Sequence, residues 1–170
     1  MKALITAGGH GTRLRPITHT MNKHLIPLAG KPMIFHAIEK IVHAGVREIY
    51  INTNEGDHEL SKEVGDGSRW GAQIVFFEQK GGPKGIADVV RQGEKYIGES
   101  PFILYLGDNI VTGNIKRLVS YFKKERLNCF LALSRVPDPT HFGVPVFKDG
   151  KIVEVVEKPE VPPSPYAVTG

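Results

Sequence analysis

Three glycines within four residues, Gly8, Gly9 and Gly11, are followed by Thr12, Arg13 and Arg15 and then by Lys23. Without a Cβ, backbone N–H groups can crowd around an anion, and the cations add fixed positive charge beside them. Polyphosphate suits such a loop; the alternative is a tight turn whose arginines are merely solvated. The spacing lacks the Lys-Ser/Thr that ends a P-loop and does not match the dinucleotide-binding fingerprint. A second candidate is Asp108, in Leu106-Gly107-Asp108-Asn109 directly after an apolar run. A carboxylate at a strand end is a good ligand for Mg²⁺, which takes hard oxygens and few protein carboxylates, although an aspartate there can also cap a turn. The histidines at 10, 19, 24, 36, 43, 58 and 141 form no compact metal pattern with one another or with Cys129, so zinc is not expected. Nucleophile arrangements of Ser or Cys are absent too, which leaves positioning and charge stabilisation as the chemistry on offer.

These groups need elements to hold them, and the hydrophobic periodicity alternates between strand and helix. A short apolar strand over 2–7 runs straight into the glycines. Met33, Ile34, Ala37, Ile38, Ile41 and Val42 share one helical face, with Pro32 suited to the start and Gly45 to the cap, predicting a helix over about 32–44. Strands follow over 48–52 and 72–77, with weak helical character over 59–64 between them. A helix over 86–97 ended by Gly98, a strand over 102–106 and a helix behind a cap at Asn114 complete the alternation. Such a pattern predicts a three-layer α/β fold: a mainly parallel, twisted sheet with helices on both faces. Ligands of such sheets bind at the carboxyl ends of the strands, where Gly8 and Asp108 both fall. Beyond a strand-like run over 129–134 the pieces shorten to 144–147 and 151–157, separated by the hairpin signal Asp149-Gly150.

The 170 residues suffice for a sizeable core without disulfides, and Cys129, flanked by Phe130 and Leu131, is expected to be a buried small hydrophobe. No apolar run reaches the roughly 18 residues of a membrane span, and the first residues read as a strand rather than a secretory signal, so no membrane partner and a cytoplasmic location are expected. The net charge of +4 suits small polyphosphates or nucleic acid. Lys123-Lys124-Glu125-Arg126 closes a helix, where cations oppose the dipole, and no basic stripe carries interleaved aromatics; nucleic acid is therefore not an expected partner.

Taken together, Gly8-Gly9-x-Gly11-Thr12-Arg13-Leu14-x-Pro16-x-Thr18, Lys23-x-x-x-Pro27 and Lys31-Pro32-Met33-Ile34 resemble the signature of the sugar-1-phosphate nucleotidylyltransferases, and within them the glucose-1-phosphate thymidylyltransferases. The resemblance implies a Rossmann-like nucleotidyltransferase fold in which Gly8, Gly9, Gly11 and Thr12 wrap a triphosphate. It implies that Arg13 neutralises phosphate charge during transfer, that Lys23 contacts the phosphates, and that Asp108 is one ligand of Mg²⁺. Gln79 and the glycine of Pro83-Lys84-Gly85-Ile86-Ala87 resemble the base-reading segment, and an amide's paired donor and acceptor fit a pyrimidine edge. Phe142-Gly143-Val144, Glu157-Lys158-Pro159 and the run from Tyr166 to Gly170 resemble sugar-binding elements: Glu157 would accept from sugar hydroxyls, Lys158 would hold the sugar phosphate, and Gly143 and Gly170 would lie close to the hexose. Many relatives have Gln where this chain has His24 and Asp88.

The implied reaction transfers a nucleotidyl group from dTTP to glucose 1-phosphate, giving dTDP-glucose and pyrophosphate. A UTP-using uridylyltransferase and a non-catalytic nucleotide-sugar sensor are the alternatives, the latter having no need to keep Arg13, Lys23 and Asp108 together. The resemblance further implies a nucleotide-binding part over about 1–135 and the start of a sugar-binding part over about 136–170. It also implies a domain truncated at its C-terminal side, where a second metal-binding aspartate normally follows, so that residues 1–170 alone are expected to bind nucleotide without turning over, and a homo-oligomer at full length.

Overall fold

A computed structural model describes residues 1–82 and 84–169; Pro83 and Gly170 lie outside the described residues. The chain divides into two compact units, Met1–Lys124 and Glu125–Gly170.

In the first unit, β1 (Lys2–Thr6) leads through 3₁₀ turns at Thr12–Leu14, Ile17–His19 and Lys23–Leu25 to a two-residue hairpin, β2 (Pro27–Leu28) and β3 (Lys31–Pro32). Helix α1 (Met33–His43), β4 (Glu48–Asn54), α2 (Glu59–Val64), β5 (Gln73–Gln79), α3 (Ile86–Ile97), β6 (Phe102–Leu106) and α4 (Ile115–Lys124) follow. The sheet has the order β5-β4-β1-β6 with every pairing parallel, Ala3 lying opposite Ile49 on one side and Ile103 on the other. The expected alternation is therefore present, and its boundaries hold to within one or two residues.

The layers follow from the two-residue period of β1. Ala3 and Ile5 point into a core with Ile34, Ala37, Ile38 and Ile41 of α1 and Leu60 and Val64 of α2, while Leu4 points the other way, toward Phe77, Val89 and Ile97. On that second face Tyr96 stacks on Tyr50 at 5.5 Å. Each fully buried isoleucine or leucine contributes about 1.5–3 kcal/mol from burial, so α1, with five buried apolar residues, is the principal clamp on its face. That helix ends as its sequence indicates, at Ala44, with Gly45 in the left-handed region at φ 86°. Asn114 caps α4 by accepting from the Lys116 N–H at 3.0 Å.

The second unit contains β7 (Leu133–Arg135), β8 (Gly143–Lys148), β9 (Lys151–Glu157) and β10 (Tyr166–Val168). Strands β8 and β9 form the expected antiparallel hairpin, and Asp149 and Gly150 at its tip both take positive φ, 50° and 72°, as a type I′ turn requires. β10 pairs antiparallel with β7. Two expectations fail here. The strand anticipated over 129–134 is confined to Leu133–Arg135, because the β10 ladder reaches only to Leu133, and Cys129, outside that ladder, is exposed rather than buried.

Candidate active site

At the carboxyl end of β1 the glycine loop is bolted to the end of β4. Asn52 and Asn54 lie two residues apart and so share a face; Asn52 Oδ1 accepts from the Ala7 N–H at 3.1 Å, and Asn54 Oδ1 accepts from the Gly9 N–H at 2.8 Å. A Cβ on Gly8 would stand 3.2 Å from Asn52 Nδ2 and 3.4 Å from Asn54 Oδ1, so a side chain here would press on the two asparagines that hold the loop. Asn52 is fully buried, and its Nδ2 has no hydrogen-bond partner among the described residues. Gly11, at φ 58°, leaves room for Thr18, whose hydroxyl donates to the Gly11 carbonyl at 2.8 Å.

Two expected site residues meet across 85 positions of sequence: Lys23 Nζ donates to Asp108 Oδ2 at 2.7 Å. Lys23 Nζ also lies 4.0 Å from where a Cβ on Gly9 would be, so the ammonium, the loop and the carboxylate share one place at the ends of β1 and β6. Gly107 makes the approach possible. Its N–H donates to the Thr6 carbonyl at 2.9 Å, and a Cβ would meet that oxygen at 2.7 Å. Burial opposes ionisation of Asp108, but the hydrogen bond and charge of Lys23 outweigh it and hold the carboxyl below its ordinary range.

Beneath this pair His24 is 1% exposed, and one ring nitrogen, Nδ1, lies 3.0 Å from Asn22 Oδ1. Burial, reinforced by the neighbouring Lys23 charge, pushes its pKa down to about 4, so the ring is neutral at physiological pH and adds no charge to the site. Asn22 fastens the segment to the loop after β4 by donating from Nδ2 to Asp57 Oδ2 at 2.5 Å. A cavity of about 340 Å³ opens beside the loop, lined in part by Gly9, His10, Lys23, Asn54 and Asp57.

Gln79 closes β5 and is 6% exposed, with Oε1 3.7 Å from the Cβ position of Gly8 and Nε2 donating to Asp88 Oδ2 at 3.0 Å. Gly85 stands before α3 at φ 87° with open space around it. Gly8, Gly9, Gly11, Lys23, Gln79 and Asp108 thus gather at one edge of the sheet, and Thr12 and Arg13 follow on an exposed turn.

In the second unit Gly143 pairs with Glu157, and a Cβ on it would come within 3.3 Å of Glu157 Oε2. Lys158 adopts φ 45°, its N–H donating to the Phe142 carbonyl at 2.9 Å and its ammonium 3.5 Å from Glu157 Oε1. Both side chains are exposed. Gly170, the remaining expected sugar-site residue, lies outside the described residues.

Local reading of the sequence missed Asn52, Asn54 and the partner of Asp88. The signal available was two asparagines at i and i+2 at the end of an otherwise apolar strand, where polar side chains need partners. Among the described residues no three His, Cys, Asp or Glu gather as a ready-made metal site, and no helix is long and apolar enough to cross a membrane.

A model of the family described as nucleotidyl transferase matches residues 2–170. A glucose-1-phosphate thymidylyltransferase of Streptomyces griseus is 43% identical over the whole chain, which covers 48% of that relative, so the chain spans about half the length of the curated relative it matches. A Bacillus anthracis protein provisionally described as a glucose-1-phosphate thymidylyltransferase, solved with a sucrose, superposes with a TM-score of 0.95 at 37% identity, covering all of this chain and 69% of that one. A UDP-glucose pyrophosphorylase solved with UDP-glucose gives 0.81 at 27% identity, covering 99% and 74%.

Proposed function

Because the chain belongs to the nucleotidyl transferase family, we propose that it carries the nucleotide-binding and catalytic part of an enzyme that makes dTDP-glucose and pyrophosphate from dTTP and glucose 1-phosphate. The observation that carries this reading is the Lys23–Asp108 pair at 2.7 Å beside the glycine loop: a cation and a hard-oxygen ligand converge where a triphosphate would lie. A phosphate oxygen of the sugar phosphate attacks the α-phosphorus, a P–O bond forms, and the bond to the β-phosphate breaks as pyrophosphate leaves with its electron pair.

Such a transfer asks the protein for positioning and charge stabilisation. The loop N–H groups and Lys23 hold the phosphates, Arg13 stabilises charge developing on them, and Lys158 and Glu157 hold the acceptor. Asp108 fits Mg²⁺ by its chemistry, since that ion characteristically takes one or two carboxylates together with substrate phosphates. When bound, Mg²⁺ would supply neutralisation of the phosphate charge.

The likeness to a UDP-glucose pyrophosphorylase supports a second reading in which UTP is the donor. One methyl separates the two bases, and its burial is worth about 0.8 kcal/mol, so partial use of both is compatible with either reading. Pyrophosphate release by the full-length protein, measured for each nucleoside triphosphate against several sugar 1-phosphates, decides. Turnover with dTTP and glucose 1-phosphate above all other pairs is expected; nucleotide binding without turnover on any pair would point instead to a sensor.

A further inference from the structure

The Gln79 amide can face only one way, and the constraint comes from Asp88. Asp88 is 9% exposed on the first turn of α3, and its carboxylate takes three donors. Oδ2 accepts from Gln79 Nε2 at 3.0 Å and from Gln92 Nε2 at 2.6 Å, and Oδ1 accepts from the Arg91 guanidinium at 2.5 Å. Gln92 is itself pinned, Oε1 accepting from the Lys80 N–H at 3.0 Å and Nε2 donating to the Lys80 carbonyl at 3.3 Å. The hydrogen bond from Gln79, with that from Arg91, pulls the carboxyl pKa down to about 2, so Asp88 is ionised throughout the physiological range. An ionised carboxylate only accepts. Nε2 of Gln79 must therefore stand on the Asp88 side, which leaves Oε1 beside Gly8 at the end of the sheet.

We infer that Asp88 sets the base selectivity of the nucleotide site: by holding Nε2 it commits Gln79 Oε1 to the nucleotide as an acceptor, which selects thymine or uracil over cytosine. Thymine and uracil carry a proton on N3 and can donate to that oxygen. Cytosine offers an unprotonated N3, an acceptor facing an acceptor, and burying such a pair costs about tenfold to a hundredfold in affinity. Asp88 acts through Gln79 and is a positioning residue. The inference rests on the proposed role of Gln79 in reading the base.

Asp88→Leu tests it by removing the acceptor while filling its space. With no oxygen at that position nothing holds Gln79 Nε2, and the amide is free to turn either end to the base. Binding of dTTP, UTP, CTP and inorganic tripolyphosphate is measured by titration calorimetry on the protein and on Asp88→Leu and Gln79→Ala. The expected result is a dTTP-to-CTP affinity ratio that falls about tenfold or more in Asp88→Leu while tripolyphosphate affinity is unchanged, since loss of one buried hydrogen bond is felt only by the base. An unchanged ratio in Asp88→Leu, with Gln79→Ala still weakening dTTP, would overturn the role of Asp88 and spare that of Gln79. Unchanged dTTP affinity in Gln79→Ala would remove the base-reading role and this inference with it. Should Asp88→Leu not fold, nitrogen NMR of the unaltered protein gives the second reading. With dTTP bound, the Gln79 side-chain amide protons should stay protected from exchange, and rapid exchange would overturn the assignment.

Discussion

In the unit Met1–Lys124 the candidate groups are bonded to one another and to buried backbone: Lys23 to Asp108, Asn52 and Asn54 to the glycine loop, Gln79 to Asp88. In the unit Glu125–Gly170 the candidate groups sit in the open at a hairpin end, with Glu157 71% and Lys158 57% exposed and held in place mainly by the Gly143–Glu157 pairing and the Lys158 backbone bond. The first region is preorganised, its cost of ordering met when the sheet folds; the second has its backbone fixed and its side chains still free. Substitutions at the bonded, buried groups of the first region should therefore affect stability and chemistry together, and substitutions at the hairpin should affect one substrate alone.

The sharpest break comes from Arg13, which is exposed and bears on no core. In the full-length enzyme Arg13→Ala should lower kcat by about 10² or more with folding intact, the scale expected when one charge-stabilising group is lost from the transferring phosphates. A kcat near that of the parent, measured by pyrophosphate release, would take Arg13 out of the mechanism. Gly107→Ala probes preorganisation itself. Its Cβ would meet the Thr6 carbonyl at 2.7 Å, with His24 and Ile34 at 3.1 Å, and neither strand can yield freely. Overpacking of this kind costs about 1–3 kcal/mol, so the urea midpoint should fall and triphosphate binding weaken with it as Asp108 is displaced. A stable variant with parental binding would show the β1–β6 approach to be slack.

His24 gives the preorganised region a pH signature. Its pKa is about 4 in the folded protein against 6.5 ordinarily, so between those values the unfolded chain binds more protons and stability falls as pH falls. The loss should reach roughly 2 kcal/mol at pH 5 relative to pH 7, and His24→Gln should abolish it. Chemical denaturation at the two pH values checks this; equal slopes in parent and variant would contradict the burial of a neutral ring. The smallest effect is expected at the hairpin. Lys158→Ala or Glu157→Ala should raise the KM for the sugar phosphate by about tenfold, as for one lost charged contact, and leave the KM for the triphosphate unchanged. Equal rises in both constants would erase the division between the regions.

What could be read from the sequence alone divides along the same line of physics. Helices α1 and α3, the strands around them and the Asp149-Gly150 hairpin follow from local periodicity and turn chemistry, and the glycine loop and Asp108 are recognisable because glycine and strand-end acids are local features too. The pairings that make these groups a site are long-range. Nothing near Lys23 says that its ammonium ends on Asp108, and nothing near Asn54 says that it holds Gly9. Cys129 failed for the same reason: its apolar neighbours suggested a buried strand, but burial depended on a ladder that begins only at Leu133. The hairpin Pro27–Leu28 and Lys31–Pro32 was also missed, since a turn at Ala29-Gly30 requires a non-glycine residue at φ 49°.

The most direct test of the division of labour is dTTP binding measured by calorimetry on two single variants of the protein. Lys23→Ala removes the cation beside the glycine loop, and Lys158→Ala removes the cation at the hairpin. Lys23→Ala should weaken dTTP by about tenfold or more, the worth of one charged hydrogen bond, while Lys158→Ala stays within about twofold of the parent. Full dTTP affinity in Lys23→Ala, or a loss in Lys158→Ala as large as that expected for Lys23, would contradict the placement of the triphosphate at the ends of β1 and β6.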